Sequence, residues 1–391
     1  MGRVTNAWLD SLSREGDDEA DDVIKAHANW GERLVPGDLV KHVAAHLRLP
    51  SELQSPAVQE YLDATPPPSI TPDPVLMDRG QRFFAEYSLE IGSALFCGSL
   101  PEAYASPRGA RVLVLTGRLL SGTVRRVAET AQMLLDTMTV GGLDPGRPGY
   151  DDVRRIRLMH AAVRYFIEHD PSVPHTSFLP TPMHGWCDGW GRPLNQEDLL
   201  GGFLTFTVSV FEVLEKLGVD FGDADLEGYL HRWKVIGSLL GIRADVLPVD
   251  VAEAREMAAL IRYRQLGPSN DGRELTRALI DALAQGLPLR PMGGLVAATV
   301  RWYVGDDTAV MIGVGPTPWS LLIEGPVKLS SGLLHVDTQH EQFVRMFMRR
   351  VGAAAIHGFM DGNRGEDRPS FQIPAELASA LRPGPTRFKL L

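Results

Sequence analysis

The chain has 391 residues, 44% hydrophobic and 23% charged, enough for one large or two ordinary domains with a real core. A net charge of -10 argues against a nucleic-acid partner, whose phosphates call for clustered Lys and Arg, and offers no attraction to an anionic membrane surface. Two cysteines, Cys97 and Cys187, make no disulfide framework and neither sits in a CxxC pair, so a thiolate-built zinc or iron–sulfur site is not indicated.

The N-terminus MGRVTNAWLDSLSREGDDEADD carries neither the apolar core of a signal peptide nor twin arginines. No apolar run reaches the roughly 20 residues that span a bilayer, so a soluble, cytoplasmic protein is expected. The acidic run from Glu15 to Asp22 reads as a solvated arm or a helix entry. Residues 1–50 suggest one or two helices ending at a proline, with KHVAAHLRL the clearest amphipathic piece. Over 50–78 the prolines at 50, 56, 66, 67, 68, 72 and 74 predict an extended connector.

Helical periodicity sets in near residue 79, and the spacing predicts helices near 79–91, 109–140, 151–169, 196–217, 225–241, 249–265, 273–286, 292–304 and 338–358. Asn195 is placed to cap the helix from Gln196, with Asp198 in its first turn and Gly218 just past its end; Asp225 and Asp250 are candidates for the same role. Glycine and proline recur every few residues over 306–336, which predicts irregular chain. The loop 170–194 holds four prolines before Gly185 and two tryptophans after it; it is either a functional loop or a crossover packed down by Trp186 and Trp190. Alternating strand patterns are rare, so the class is mainly α.

One histidine stands out. On the predicted helix 151–169, His160 falls among Val153, Ile156, Val163 and Ile167 at helical spacing and points inward. A buried imidazole needs a partner, either a carbonyl or carboxylate, as in most core histidines, or a metal. Arg157 and Arg164 lie one turn to either side and suit carboxylates, whether from Asp and Glu or from a ligand. On the preceding predicted helix, TVRRVAETAQML, Arg126 and Thr130 are one turn apart and share a face. Arg126 precedes His160 by 34 residues.

In their order and spacing, Arg126, Thr130, His160 and the later segment WGRPLNQEDLLGGFLTFT resemble the catalytic domain of bacterial rubber oxygenases (latex-clearing proteins), a family that also includes fungal membrane-bound oxygenases. The matched stretch runs from GSLPEAYA at Gly98 to YLHRWKVIGSLLGI around Gly241. The resemblance implies a mainly α fold with a helical, globin-like core. Residues 1–78 would form an N-terminal helical arm and Pro-rich connector, and residues 79–391 a haem-binding oxygenase domain with a C-terminal extension. It implies haem b held through His160 as axial iron ligand, with Arg157 and Arg164 placed for its propionates. Arg126, Glu129 and Thr130 would lie on the distal, catalytic side. Dioxygen and an apolar, unsaturated small molecule would be the reactants.

Glu129 departs from the family, which carries a lysine just before this threonine. A glutamate cannot act as an amine ligand; it is a proton acceptor facing the pocket, or a surface partner of Arg125 at i−4. A haem-binding sensor or carrier without turnover is the alternative reading, and a helical binding protein with a core histidine is another. HExxH, GxGxxG and GxSxG are all missing, which sets aside a zinc protease, a dinucleotide enzyme and a serine hydrolase.

The shared face of Arg126 and Thr130 yields a test. Arg125 projects about 100° away on a helix. Arg126→Ala should therefore impair turnover or haem retention far more than Arg125→Ala, measured as oxygen uptake and haem content. Equal and negligible losses would make Arg126 a surface residue.

Overall fold

A computed structural model describes residues 2–30, 55–117, 132–178, 185–285 and 293–320, and all structural statements concern these residues. The chain is mainly α, as its periodicity predicts. In order the helices are α1 (Asn6–Leu12), α2 (Asp18–Ala28), α3 (Pro56–Asp63), α4 (Pro74–Glu86), α5 (Ser88–Ala94), α6 (Leu100–Tyr104), α7 (Pro107–Gly117), α8 (Pro148–His169), α9 (Gln196–Lys216), α10 (Asp223–Leu239), α11 (Val251–Gln265), α12 (Asn270–Gln285), α13 (Gly293–Val304) and α14 (Asp306–Met311). Residues 132–138 are also helical. A π-helical turn, Leu95–Ser99, joins α5 to α6, and a two-residue parallel pair links β1 (His175–Thr176) to β2 (Trp186–Cys187).

The expected boundaries hold where caps define them. The Asn195 side chain accepts from the Asp198 amide at 2.9 Å, the Asp250 side chain caps α11, and Gly218 takes the left-handed φ of +65° that ends α9. Asp225 caps from inside: α10 starts at Asp223, and the Asp225 carboxylate accepts from the Gly222 amide at 3.0 Å.

Two expectations need correction. The proline-rich stretch contains α3, because Pro56 sits at a first-turn position where its missing N–H costs nothing; α4 opens the same way at Pro74. The stretch after 305 begins with α14 rather than irregular chain. Of the two readings of the acidic run, the helix entry holds: α2 starts at Asp18, with Asp17 and Asp21 buried against arginines of α8.

Helix α9 is the central element. Its sequence is apolar on nearly every face, which fits a helix surrounded by others, and Leu200, Val208, Val210, Phe211 and Leu214 are all fully buried. Helix α10 lies beside it and crosses α4 at backbone contact. A Cβ on Gly80 would sit 2.4 Å from the Gly228 carbonyl oxygen, and one on Gly228 would sit 2.9 Å from the Gly80 nitrogen. Only two glycines permit that approach. Arg232 on α10 then donates to the carbonyls of Thr137, Thr139 and Met77, tying down the C-terminal end of the 132–138 helix. The cysteines are both buried and unpaired.

The Gly80–Gly228 crossing predicts an asymmetry among glycines. Gly228→Ala should lower unfolding free energy by about 1–3 kcal/mol, since the obstructing atoms include rigid backbone. Gly202→Ala, where an added Cβ meets nothing within 4 Å, should be neutral or stabilising by up to about 1 kcal/mol from helix propensity. Urea titration of both variants checks the contrast.

Candidate functional site

The site is built around the middle of α8. His160 is partly buried and lines a cavity. Its Nδ1 is buried with no hydrogen-bond partner among the described residues. Burial, reinforced by the Arg164 charge, pushes its pKa down to about 4, so the ring is neutral at pH 7. A neutral imidazole with an uncommitted nitrogen is the form that ligates a metal.

The cavity measures about 310 Å³ and is predominantly apolar. Val112 and Leu113 of α7, Met133, Phe203 and Phe206 of α9, and Trp233 of α10 form much of its wall. Space for it arises on α9, where Gly201 and Gly202 interrupt an otherwise bulky run. Gly202 leaves open room where a side chain would project, whereas a Cβ at Gly201 would rest against Ile261 and the Gln265 carboxamide of α11. Among the described residues no group of three or more His, Cys, Asp or Glu could hold a metal ion by side chains alone. What the site offers is one nitrogen in an apolar chamber, which suits a metal that arrives inside an organic macrocycle.

Arg157 and Arg164 flank His160 as predicted, and the structure shows what they hold. Arg157 makes a two-pronged pair with Asp17, at 2.6 and 2.7 Å, and reaches Glu19 at 2.9 Å. Arg164 is fully buried and pairs with Asp21. It also donates to the carbonyls of Pro193 at 3.1 Å and Leu194 at 2.7 Å. A ligand carboxylate at either arginine would have to share or displace these partners. Leu194 is the one described non-glycine residue with a left-handed φ, +51°, and it lines the cavity. Arg164 and the neighbouring Asn195 cap thus hold a strained wall residue in place. Arg126, Glu129 and Thr130 lie outside the described residues.

Two features escaped the sequence. Asp198 lines the cavity with His160, and the Arg164 charge acts on both. Its Oδ1 lies 2.6 Å from Arg108 Nε, while the buried Glu197 meets the same guanidinium at 3.0 Å and Arg264 at 3.1 Å. The Arg108 contacts are electrostatic rather than directed hydrogen bonds, since neither nitrogen aims its N–H at the carboxylates. Burial outweighs that shared cation and lifts the Asp198 pKa to about 6. The second feature is the polar part of the cavity, lined by Glu102, Arg262 and Gln265. Glu102 pairs with Arg262 at 2.8 Å and is no neighbour of His160 in any described contact. A glycine pair inside an apolar helix was the legible signal for the cavity, since each glycine there costs roughly 1 kcal/mol relative to alanine.

Comparison with known proteins agrees with this architecture. A family model described as the catalytic domain of ER-bound oxygenase mpaB/B' and rubber oxygenase matches residues 85–324. The rubber oxygenase of Streptomyces sp. (strain K30) is 26% identical over 362 residues, covering 87% of this chain and 84% of that protein. The solved structure of latex clearing protein LCP in the closed state superposes with a TM-score of 0.65 at 24% identity, covering 93% of this chain and 95% of the other.

The raised Asp198 pKa fixes the sign of a pH effect. The folded protein takes up the proton near pH 6, the unfolded chain near its ordinary value of 3.8. Between those values the folded state binds more protons, so this group's contribution to stability falls as pH rises. His160 has the opposite sign, losing stability as pH drops from 6.5 towards 4. Asp198→Asn should therefore gain stability relative to the parent protein as pH rises through 6, read by urea unfolding at several pH values. A difference independent of pH would remove the shifted carboxylate.

Proposed function

The chain belongs to the family of mpaB/B' and rubber oxygenase catalytic domains, and from that premise we propose a haem b-dependent oxygenase acting with dioxygen on an apolar, unsaturated small molecule. The observation that carries the reading is the neutral His160, with a buried, orphaned nitrogen, lining an apolar chamber. Rubber oxygenase is the activity named for the Streptomyces relative. Family membership supports an oxygenase.

His160 would hold the haem iron through a ring nitrogen. When bound, the haem supplies dioxygen activation for attack on a carbon–carbon double bond. The protein's own contribution is positional and electrostatic. Arg157 and Arg164 lock α8 to α2, so the imidazole cannot swing; contact with propionates would add to that role. Phe203, Phe206 and Trp233 exclude water from the reacting end and bind the hydrocarbon by apolar burial, worth about 25 cal/mol per Å². Asp198, poised near neutrality, can give or take a proton at a carboxylate oxygen. Arg126 and Thr130 are proposed for the distal side, with Glu129 as a pocket base there.

An absorption spectrum with pyridine haemochrome analysis tests the reading. The purified protein should show a Soret band and haem b. His160→Ala should lose most of its haem while keeping its helical circular dichroism, and added imidazole should restore part of it. Full haem occupancy with an unchanged spectrum in that variant would falsify the assignment of His160.

A further inference from the structure

The cavity has two chemically different ends. One carries His160 among apolar side chains. The other lies between α6 and α11, where Glu102, Arg262 and Gln265 line the same cavity. Gly201 and Gly202 on α9 line the cavity too: a Cβ at Gly201 would rest against the Gln265 carboxamide, whereas Gly202 leaves open space.

The polar end is built in a particular way. Arg262 donates to Glu102 at 2.8 and 3.1 Å, to Glu212 at 2.8 and 2.9 Å, and to Ser209 at 3.1 Å. Ser209 donates in turn to Glu102 at 2.9 Å. One guanidinium thus serves two carboxylates, and Lys216 lies within electrostatic reach of all three groups, so the cluster is balanced. An anionic head group would meet no vacant cation here. Beside it, Gln265 Nε2 is buried and has no hydrogen-bond partner among the described residues. A buried amide donor left unmatched costs roughly 1–3 kcal/mol, so a bound acceptor is the simplest way to satisfy it.

We propose that this cavity takes a neutral amphipathic molecule, its hydrocarbon body running past Gly201 and Gly202 towards His160 and its hydroxyl or carbonyl oxygen accepting from Gln265 Nε2 beside Glu102. A hydroxyl head can also donate to Glu102, which neither a pure hydrocarbon nor a carboxylate can do. The proposal deepens the oxygenase reading and rests on it for what happens at the His160 end. It makes Gln265 the residue that sets substrate class and orientation.

The test uses the full-length protein as purified, with its absorption spectrum recorded first, and isothermal titration with octanol, octanoate and octane. Octanol should bind most tightly. Gln265→Leu should weaken octanol about tenfold, the loss of one buried hydrogen bond, and leave octane unchanged or tighter. Gly202→Leu, whose side chain enters space that no neighbour occupies, should abolish binding of all three while the protein stays folded. Octane or octanoate binding as tightly as octanol, or no effect of Gln265→Leu, overturns the proposal. Failure of all three to bind a protein that shows a Soret band overturns it too and leaves the haem reading standing. Octanol selectivity lost in Gln265→Leu, in a protein without haem, supports the proposal while removing the haem reading.

Discussion

A guanidinium keeps its charge at any pH a protein meets, so burying one obliges the surrounding chain to bring acceptors to it. Helix α8 buries Arg154 and Arg164 and half-buries Arg157, and much of the molecule is arranged around their demands. Arg154 takes the carbonyls of Tyr61, Leu62 and Ala64, closing the end of α3. Arg157 and Arg164 take the carboxylates of α2, and Arg164 also takes the backbone at Pro193 and Leu194. Every one of these partners is far away in sequence. The helix that presents His160 is therefore held by charge pairs one turn above and one turn below the imidazole, together with apolar packing.

Removing a partner from a buried pair of this kind is costly because the surviving charge stays buried. Stiffness is what an imidazole needs if it is to meet a large flat group at a fixed angle. The chamber opposite is created by subtraction instead: two glycines in α9, with Trp233 of the neighbouring α10 across the gap. The π-helical turn before α6 adds to this shaping, since Ser99 donates to the Thr205 carbonyl of α9 at 2.6 Å.

Much of the fold was legible because local patterns fixed it. The stripe of Val153, Val163 and Ile167 placed His160 inward, and Asn195, Asp250 and Gly218 marked helix ends by chemistry that acts within a few residues. The family was legible too, since the order and spacing of several weak motifs agree with the comparisons. What was not legible depends on distant partners. The burial of Asp17 and Asp21 follows from arginines on α8, and the shift of Asp198 follows from its burial in the packed bundle, with Glu197 adding to it. The helix at Pro56 was hidden because proline counts over a window ignore that a first-turn position accepts proline. Arg126, Glu129 and Thr130 remain readings of the sequence.

The pairing of Asp17 with Arg157 spans 140 residues and that of Asp21 with Arg164 spans 143, which carries a consequence for biosynthesis. Helix α2 leaves the ribosome early with its carboxylates unmatched, and their counterions do not exist until α8 has been translated. At about 5–20 residues per second that is an interval of many seconds. Through it the acidic segment stays hydrated and mutually repelled, which discourages premature docking onto the emerging apolar helices. Until the histidine-bearing helix is made, the carboxylates of α2 have none of the arginine partners they hold in the native fold.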